Sequence, residues 1–141
     1  MLVLDTDIIS IVQRGDSPEH RRLVERIDAS GLIPYVTITS FEEQVRGWLS
    51  ECARARTADD YVAASSRLKS LLDDYRTRPM LEFTFAAALQ FRNLKTLKPR
   101  AGTMDLRIAA IALAHNATLV TRNLRDFAGI PSLRVEDWTL K

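Results

Sequence analysis

Two hydrophobic rhythms alternate along the chain. Met1-Leu2-Val3-Leu4 is wholly apolar and ends at Asp5, which predicts a strand buried on both faces, as in a parallel sheet. Ala117-Thr118-Leu119-Val120 is a second such run. Ile33 to Ile38 and Leu133-Arg134-Val135 are short β-branched strands, and Pro79 to Phe83 is a weaker strand or connector. Between them the apolar spacing turns helical. Ile8, Ile9, Ile11 and Val12 form a short helix stopped near Gly15. Leu23, Val24 and Ile27 follow in a helix that Ser17 caps, Pro18 starts and Gly31 ends. Ser40 to about Ala53 carries a stripe at Phe41, Val45, Trp48 and Leu49. From about Thr57 to Tyr75 the inward positions are Tyr61, Leu68, Leu71, Leu72 and Tyr75, and these two helices are expected to pair as a hairpin. An alanine-rich helix then passes through Phe85, Leu89 and Phe91 into a basic segment, Asp105 opens a helix from Leu106 to His115, and Thr121 to Phe127 reads as a loop. Strands alternating with helices predict an α/β fold, a three-layer α/β/α sandwich around a mainly parallel central sheet.

The length, 141 residues, suits one domain spanning 1–141. Cys52 is the sole cysteine, so no intramolecular disulfide forms, and His20 and His115 alone cannot complete a Cys/His zinc site. A reduced, cytoplasmic setting is expected. No signal peptide is visible, and no apolar run approaches the ~20 residues of a membrane span. Lys and Arg number 20 against 18 Asp and Glu, a net charge of +2, which excludes a blanket of positive charge as the mode of action. An anionic partner would need a local basic patch.

Scattered acids mean little among 18, so the informative ones lie at the carboxyl edge of the predicted parallel strands, where α/β folds place their sites. Asp5 directly follows the first strand, Asp126 lies beyond the Leu119-Val120 strand, and Asp105 begins a helix whose buried face points to the sheet. Glu42 and Glu43 compete for a fourth place. At ~100° per residue, Glu42 lies about 75° from the centre of the Phe41 stripe and Glu43 nearly opposite it, so Glu42 is expected at the flank and Glu43 in solvent. Each acid also has a structural reading: Asp5 and Asp105 as helix N-caps, Glu42 as complement to a helix dipole, Asp126 as a turn residue. Together, four carboxylates at one place would repel unless a cation sat among them. All-oxygen donors without His or Cys favour Mg²⁺ or Mn²⁺, and phosphodiester hydrolysis is the leading chemistry for such a centre.

Four segments carry a resemblance: Leu4-Asp5-Thr6-Asp7, Thr39-Ser40-Phe41-Glu42 ahead of Gly47, Met104-Asp105-Leu106-Arg107, and Thr121-Arg122-Asn123-Leu124-Arg125-Asp126-Phe127. The chain resembles PIN-domain ribonucleases, specifically VapC-type toxins of VapBC toxin–antitoxin modules. The resemblance implies an acidic metal site of Asp5, Glu42, Asp105 and Asp126, with Thr121 and Asn123 orienting residues beside it. Asp7 stands where many members have Asn, which would add a fifth carboxylate in or near the metal shell. The family pattern also has its glycine one residue earlier than Gly47 relative to Glu42. The implied activity is a Mg²⁺- or Mn²⁺-dependent endoribonuclease that cuts structured RNA such as a tRNA or ribosomal RNA and inhibits translation. A cognate VapB-type antitoxin would silence it, and members are usually homodimers. Because an acidic site alone repels RNA, basic residues must rim it, and Arg14, Lys98, Arg100, Arg122 and Arg125 are the candidates. Trp48 reads as core or partner interface before it reads as a base-stacking platform.

Three rival readings remain at this level. A haloacid-dehalogenase-like phosphatase would explain Asp5-Thr6-Asp7 but not Ile9 or the short chain. A phospho-receiver domain would need an aspartate ending a middle strand, and Val36-Thr37-Ile38 supplies none. A catalytically silent PIN-fold binding module would not need all four acids. If four or five of the 18 acids share one cation-filled pocket, the remaining surface is more basic than +2 suggests.

Overall fold

In a computed structural model describing residues 1–141, five parallel strands form one sheet in the order β3-β2-β1-β4-β5. The strands are β1 (Leu2–Leu4), β2 (Pro34–Thr37), β3 (Met80–Leu81), β4 (Thr118–Val120) and β5 (Arg134–Glu136). Seven helices flank them: α1 (Thr6–Arg14), α2 (Pro18–Ser30), α3 (Ile38–Arg54), α4 (Ala58–Arg76), α5 (Phe85–Thr96), α6 (Thr103–Ala114) and α7 (Leu124–Phe127). The expected α/β/α sandwich is the observed architecture, and its sheet is wholly parallel. The stretch expected to be a loop after β4 contains the short α7.

Side-chain alternation in the strands makes the two cores. Val3 and Leu119 point to one face, where Ala109, Ala110 and Ala112 of α6 and Leu94 of α5 cover them. Leu2, Leu4, Val36 and Val120 point to the other, under Ile8 and Ile9 of α1, Leu23 of α2, and Leu71 and Tyr75 of α4. The alanines let α6 approach the sheet closely. Each start and stop has a local cause. Gly15 and Gly31 close α1 and α2 with φ of 75° and 67°, the left-handed region open to glycine. Thr37, Thr57 and Thr84 cap α3, α4 and α5 through their hydroxyls. Because Thr37 is the cap, α3 starts at Ile38, two residues earlier than the apolar stripe predicts.

Some expected core positions are on the surface. Leu49, Tyr61 and Leu72 are 51%, 55% and 44% exposed, since α3 and α4 pack on each other as a hairpin of which only one side is covered. Phe85 is 96% exposed at the start of α5.

Strands β1, β2 and β3 follow one another outward, and the chain then returns to place β4 on the other side of β1. The carboxyl ends of β1 and β4 therefore flank the point where strand order reverses, the crevice that α/β sheets offer to ligands.

Ala109 is fully buried between α6 and the sheet. Ala109→Leu is expected to cost about 1–3 kcal/mol by overpacking, read as a melting temperature several degrees lower; an unchanged value would mean the two layers are not close-packed there.

Candidate active site

Asp5 leaves the end of β1 and caps α1. Its backbone N–H donates to the Val120 carbonyl at 3.0 Å, which ties it to the end of β4. Its Oδ1 accepts from the Thr6 N–H at 2.8 Å and its Oδ2 from the Thr121 hydroxyl at 2.7 Å. The Thr121 Oγ1 in turn accepts from the Asn123 N–H at 3.0 Å, and Asn123 Nδ2 donates to Asp126 Oδ2 at 2.9 Å. One hydrogen-bonded chain thus links the carboxylate after β1 to the carboxylate in α7.

Two further acids face this pair. Asp7, in the first turn of α1, accepts the Arg122 N–H on Oδ2 at 3.1 Å, while its Oδ1 is buried without a partner. Asp105 is in the first turn of α6, which starts after Gly102, so it does not cap the helix.

In the structure it is Glu43, not Glu42, that faces the other acids, contrary to the expectation from the hydrophobic stripe. Glu42 points outward and pairs with Arg46 one turn along α3. Glu43 Oε1 accepts from the Thr6 hydroxyl at 2.7 Å, and that hydroxyl also lies 2.9 Å from Ser40 Oγ. Helix α3 has two covered faces. Phe41, Val45 and Trp48 pack on the α1–α4 core, while Ser40 and Glu43, at i and i+3, form a second face turned to the site. Hydrophobic periodicity reveals the first face alone. Gly47 follows Glu43 by four residues and Glu42 by five, so the family's glycine spacing fits Glu43.

These acids suppress one another's ionisation. Burial pushes the Asp5 carboxyl from 3.8 up to about 7, and the charges of Asp7 and Asp105 add to it against the Thr121 and Thr6 hydrogen bonds. Asp105 is raised by burial and then by Glu43, Asp126 and Asp7, and Asp7 is raised chiefly by burial. No three side chains stand as ready-made ligands around one point. The donor chemistry nevertheless suits a hard cation: oxygen donors only, an orphaned buried carboxylate oxygen, and mutual repulsion that a divalent charge would relieve.

The cations expected at the rim divide. Arg14 and Arg122 border a cavity with Asp7, Ser10 and Asn123, and Arg100 Nε lies 3.4 Å from Asp126 Oδ1. Lys98 and Arg125 are exposed, and their side chains make no hydrogen bond or ion pair to the site.

A PIN-domain family model matches residues 2–132. This chain belongs to the PIN-domain family. Among its relatives, the tRNA(fMet)-specific endonuclease VapC of Salmonella typhimurium is 30% identical over 142 residues, covering 98% of this chain and 96% of the relative. Ribonuclease VapC2 of Rickettsia felis is 36% identical over 75 residues, which span 50% of this chain and 56% of the relative. Solved folds agree. A crystal structure of VapBC2 from Rickettsia felis bound to a promoter DNA fragment superposes with a TM-score of 0.72 at 23% identity, covering 97% of this chain and 98% of that one. VapBC-1 from nontypeable Haemophilus influenzae gives 0.69 at 25% identity, covering 99% and 98%. PIN membership sets aside the phosphatase and receiver readings.

The raised Asp5 carboxyl makes stability pH-dependent in cation-free protein. The folded state holds this proton up to about pH 7 and the unfolded state releases it near 3.8, so the folded state binds more protons in between. Stability is therefore expected to fall as pH rises from about 4 through about 7. Calorimetry in chelator should show a melting temperature several degrees lower at pH 8 than at pH 5, with a flatter profile for Asp5→Asn; a flat wild-type profile would contradict the burial of this charge.

Proposed function

We propose that this PIN-domain protein is a divalent-cation-dependent endoribonuclease that acts as the toxin of a VapBC-type pair. The observation that carries the reading is the convergence of Asp5, Asp7, Glu43 and Asp105 at the strand-order reversal, with Asp126 tied to them through Thr121 and Asn123. Asp5, Asp105, Asp126 and Glu43 would hold Mg²⁺ or Mn²⁺, with Asp7 beside them offering its unpartnered oxygen. The bound cation would polarise the scissile phosphate and lower the pKa of an attacking water.

The chain's own residues do the rest. Thr121 fixes the direction of the Asp5 carboxylate, and Asn123 fixes that of Asp126. Thr6 and Ser40 hold Glu43 at the end of α3 nearest the sheet. Arg14 and Arg122 neutralise phosphates entering beside Asp7, and Arg100 does so beside Asp126. The substrate class is structured RNA, in keeping with the tRNA named for the Salmonella relative. The partner that silences the site is a VapB-type antitoxin, in keeping with the VapBC assemblies that share this fold. A homodimer is the assembly best suited to the exposed apolar end of α5, where Phe85 stands 96% exposed one turn from Leu89 at 53%.

Asp105→Asn and Glu43→Gln are each expected to reduce Mn²⁺-dependent RNA cleavage at least 100-fold, while Glu42→Gln changes it less than threefold. The measurement is initial rate on a tRNA pool, with melting temperatures to confirm folding; equal loss in the two glutamate variants would return the fourth ligand to doubt. Chelator should abolish cleavage, and millimolar Mn²⁺ should raise the wild-type melting temperature by linkage. Phe85→Glu is expected to convert the dimer to monomer in light scattering; a monomeric wild type would remove the dimer from this account.

A further inference from the structure

Three cavities on one side of the molecule form a continuous groove. The cavity beside Asp7 shares Ser10 and Arg14 with a second, of about 570 Å³, that runs between α1, α3 and α4. The second shares Trp48 and Arg67 with a third between α3 and α4. We infer that this groove is the path of the RNA strand on one side of the scissile phosphate, with a base stacked on the Trp48–Arg67 pair. The inference rests on the nuclease reading and extends it beyond the acids.

The groove's charge is the first support. Arg14, Arg67 and Arg122 border it, and none of their side chains is in an ion pair. Of the acids along it beyond Asp7, Asp74 is matched by two hydrogen bonds from Arg78 at 3.0 and 2.8 Å and one from Gln13 at 3.0 Å, Glu51 is paired with Arg54, and Asp60 stands at the far end. A polyanion entering past Asp7 therefore meets unpaired guanidinium groups along its course.

Its floor is polar and fixed. Gln13 and Gln44 exchange amide hydrogen bonds at 3.1 and 3.0 Å, and the Tyr75 hydroxyl donates to Gln44 at 2.7 Å. Trp48 and Leu71 are the only apolar residues of the central cavity, and the cavity beside Asp7 has none. The third cavity adds Ala55, Ala63 and Ala64 beside Trp48, so the apolar lining is concentrated at that end of the groove.

Trp48 supplies the stacking surface. The Arg67 guanidinium lies 5.6 Å from its ring centroid, so a planar cation and an indole stand together at the groove wall. Bases stack on both kinds of group with little sequence preference. Trp48 lies where the second and third cavities meet, so a base reaches it only from a strand that runs past Arg14 and through the central cavity.

The experiment uses full-length protein and oligouridylate of two or ten nucleotides. In the cleavage-silent Asp105→Asn background, the decanucleotide is expected to quench tryptophan emission and the dinucleotide not. The other tryptophan, Trp138, is buried and insensitive. Trp48→Leu should remove the quench, and Arg67→Ala should weaken decanucleotide affinity about tenfold. In active protein, the advantage in KM of the decanucleotide over the dinucleotide should shrink about tenfold in both variants, with kcat on the decanucleotide retained. Arg67 is exposed, so its variant keeps the test valid if Trp48→Leu folds poorly. Absence of quenching, or the same quench and affinity in the Arg67 variant, overturns the inference and leaves the groove to a protein segment. Quenching without cleavage by wild-type protein would fail the nuclease reading alone and leave the strand path standing.

Discussion

Repulsion among buried carboxylates is the constraint around which this molecule is arranged. Asp5 is 5% exposed, fixed by the ends of two central strands, and faces Asp7 and Asp105 with no cationic side chain bonded to it. Such a group cannot ionise freely at neutral pH, and the protein keeps it there despite the cost. The sheet makes this possible. Reversal of strand order between β1 and β4 opens a crevice at their carboxyl ends, and α1, α6 and α7 each begin near it. The side chains that begin those helices converge without any long-range loop having to reach them.

The polar residues between the acids act as spacers with direction. Thr121 bridges Asp5 and Asn123, Asn123 bridges onward to Asp126, and Thr6 bridges Glu43 and Ser40. Their donors orient carboxylate lone pairs without neutralising them, so the negative field of the cluster is preserved. Around it the arginines lie on loops and helix ends, outside the pocket. The net charge of +2 is thus the sum of an inward acidic cluster and an outward basic surface, the distribution an RNA-cutting site requires.

Several parts of this arrangement are legible in the sequence because they depend on short-range rules. Runs ending in Asp5 and Thr121 mark strand ends, Gly15 and Gly31 mark helix stops, and Asp105 and Asp126 fall beside predicted strand ends. Glu43 was misplaced for a definable reason. A single hydrophobic stripe locates the face of a helix that meets the core, but α3 turns a second, polar face of Ser40 and Glu43 toward the other acids. The outward positions of Leu49, Tyr61 and Phe85 escaped the same rule, since periodicity cannot tell a covered apolar face from one left open.

The sequence by itself determined the alternation of strands and helices, a mainly parallel sheet, and the placing of Asp5, Asp105 and Asp126 beside strand ends as oxygen donors without His or Cys. Each follows from local spacing or from the kinds of donor atoms available. Tertiary structure decided which glutamate joins them, that the Oδ1 of Asp7 is buried without a partner, and that Arg14, Trp48 and Arg67 border one groove. These depend on the packing of α1, α3 and α4 against one another, and the orientation of a helix about its own axis is fixed by all of its neighbours together.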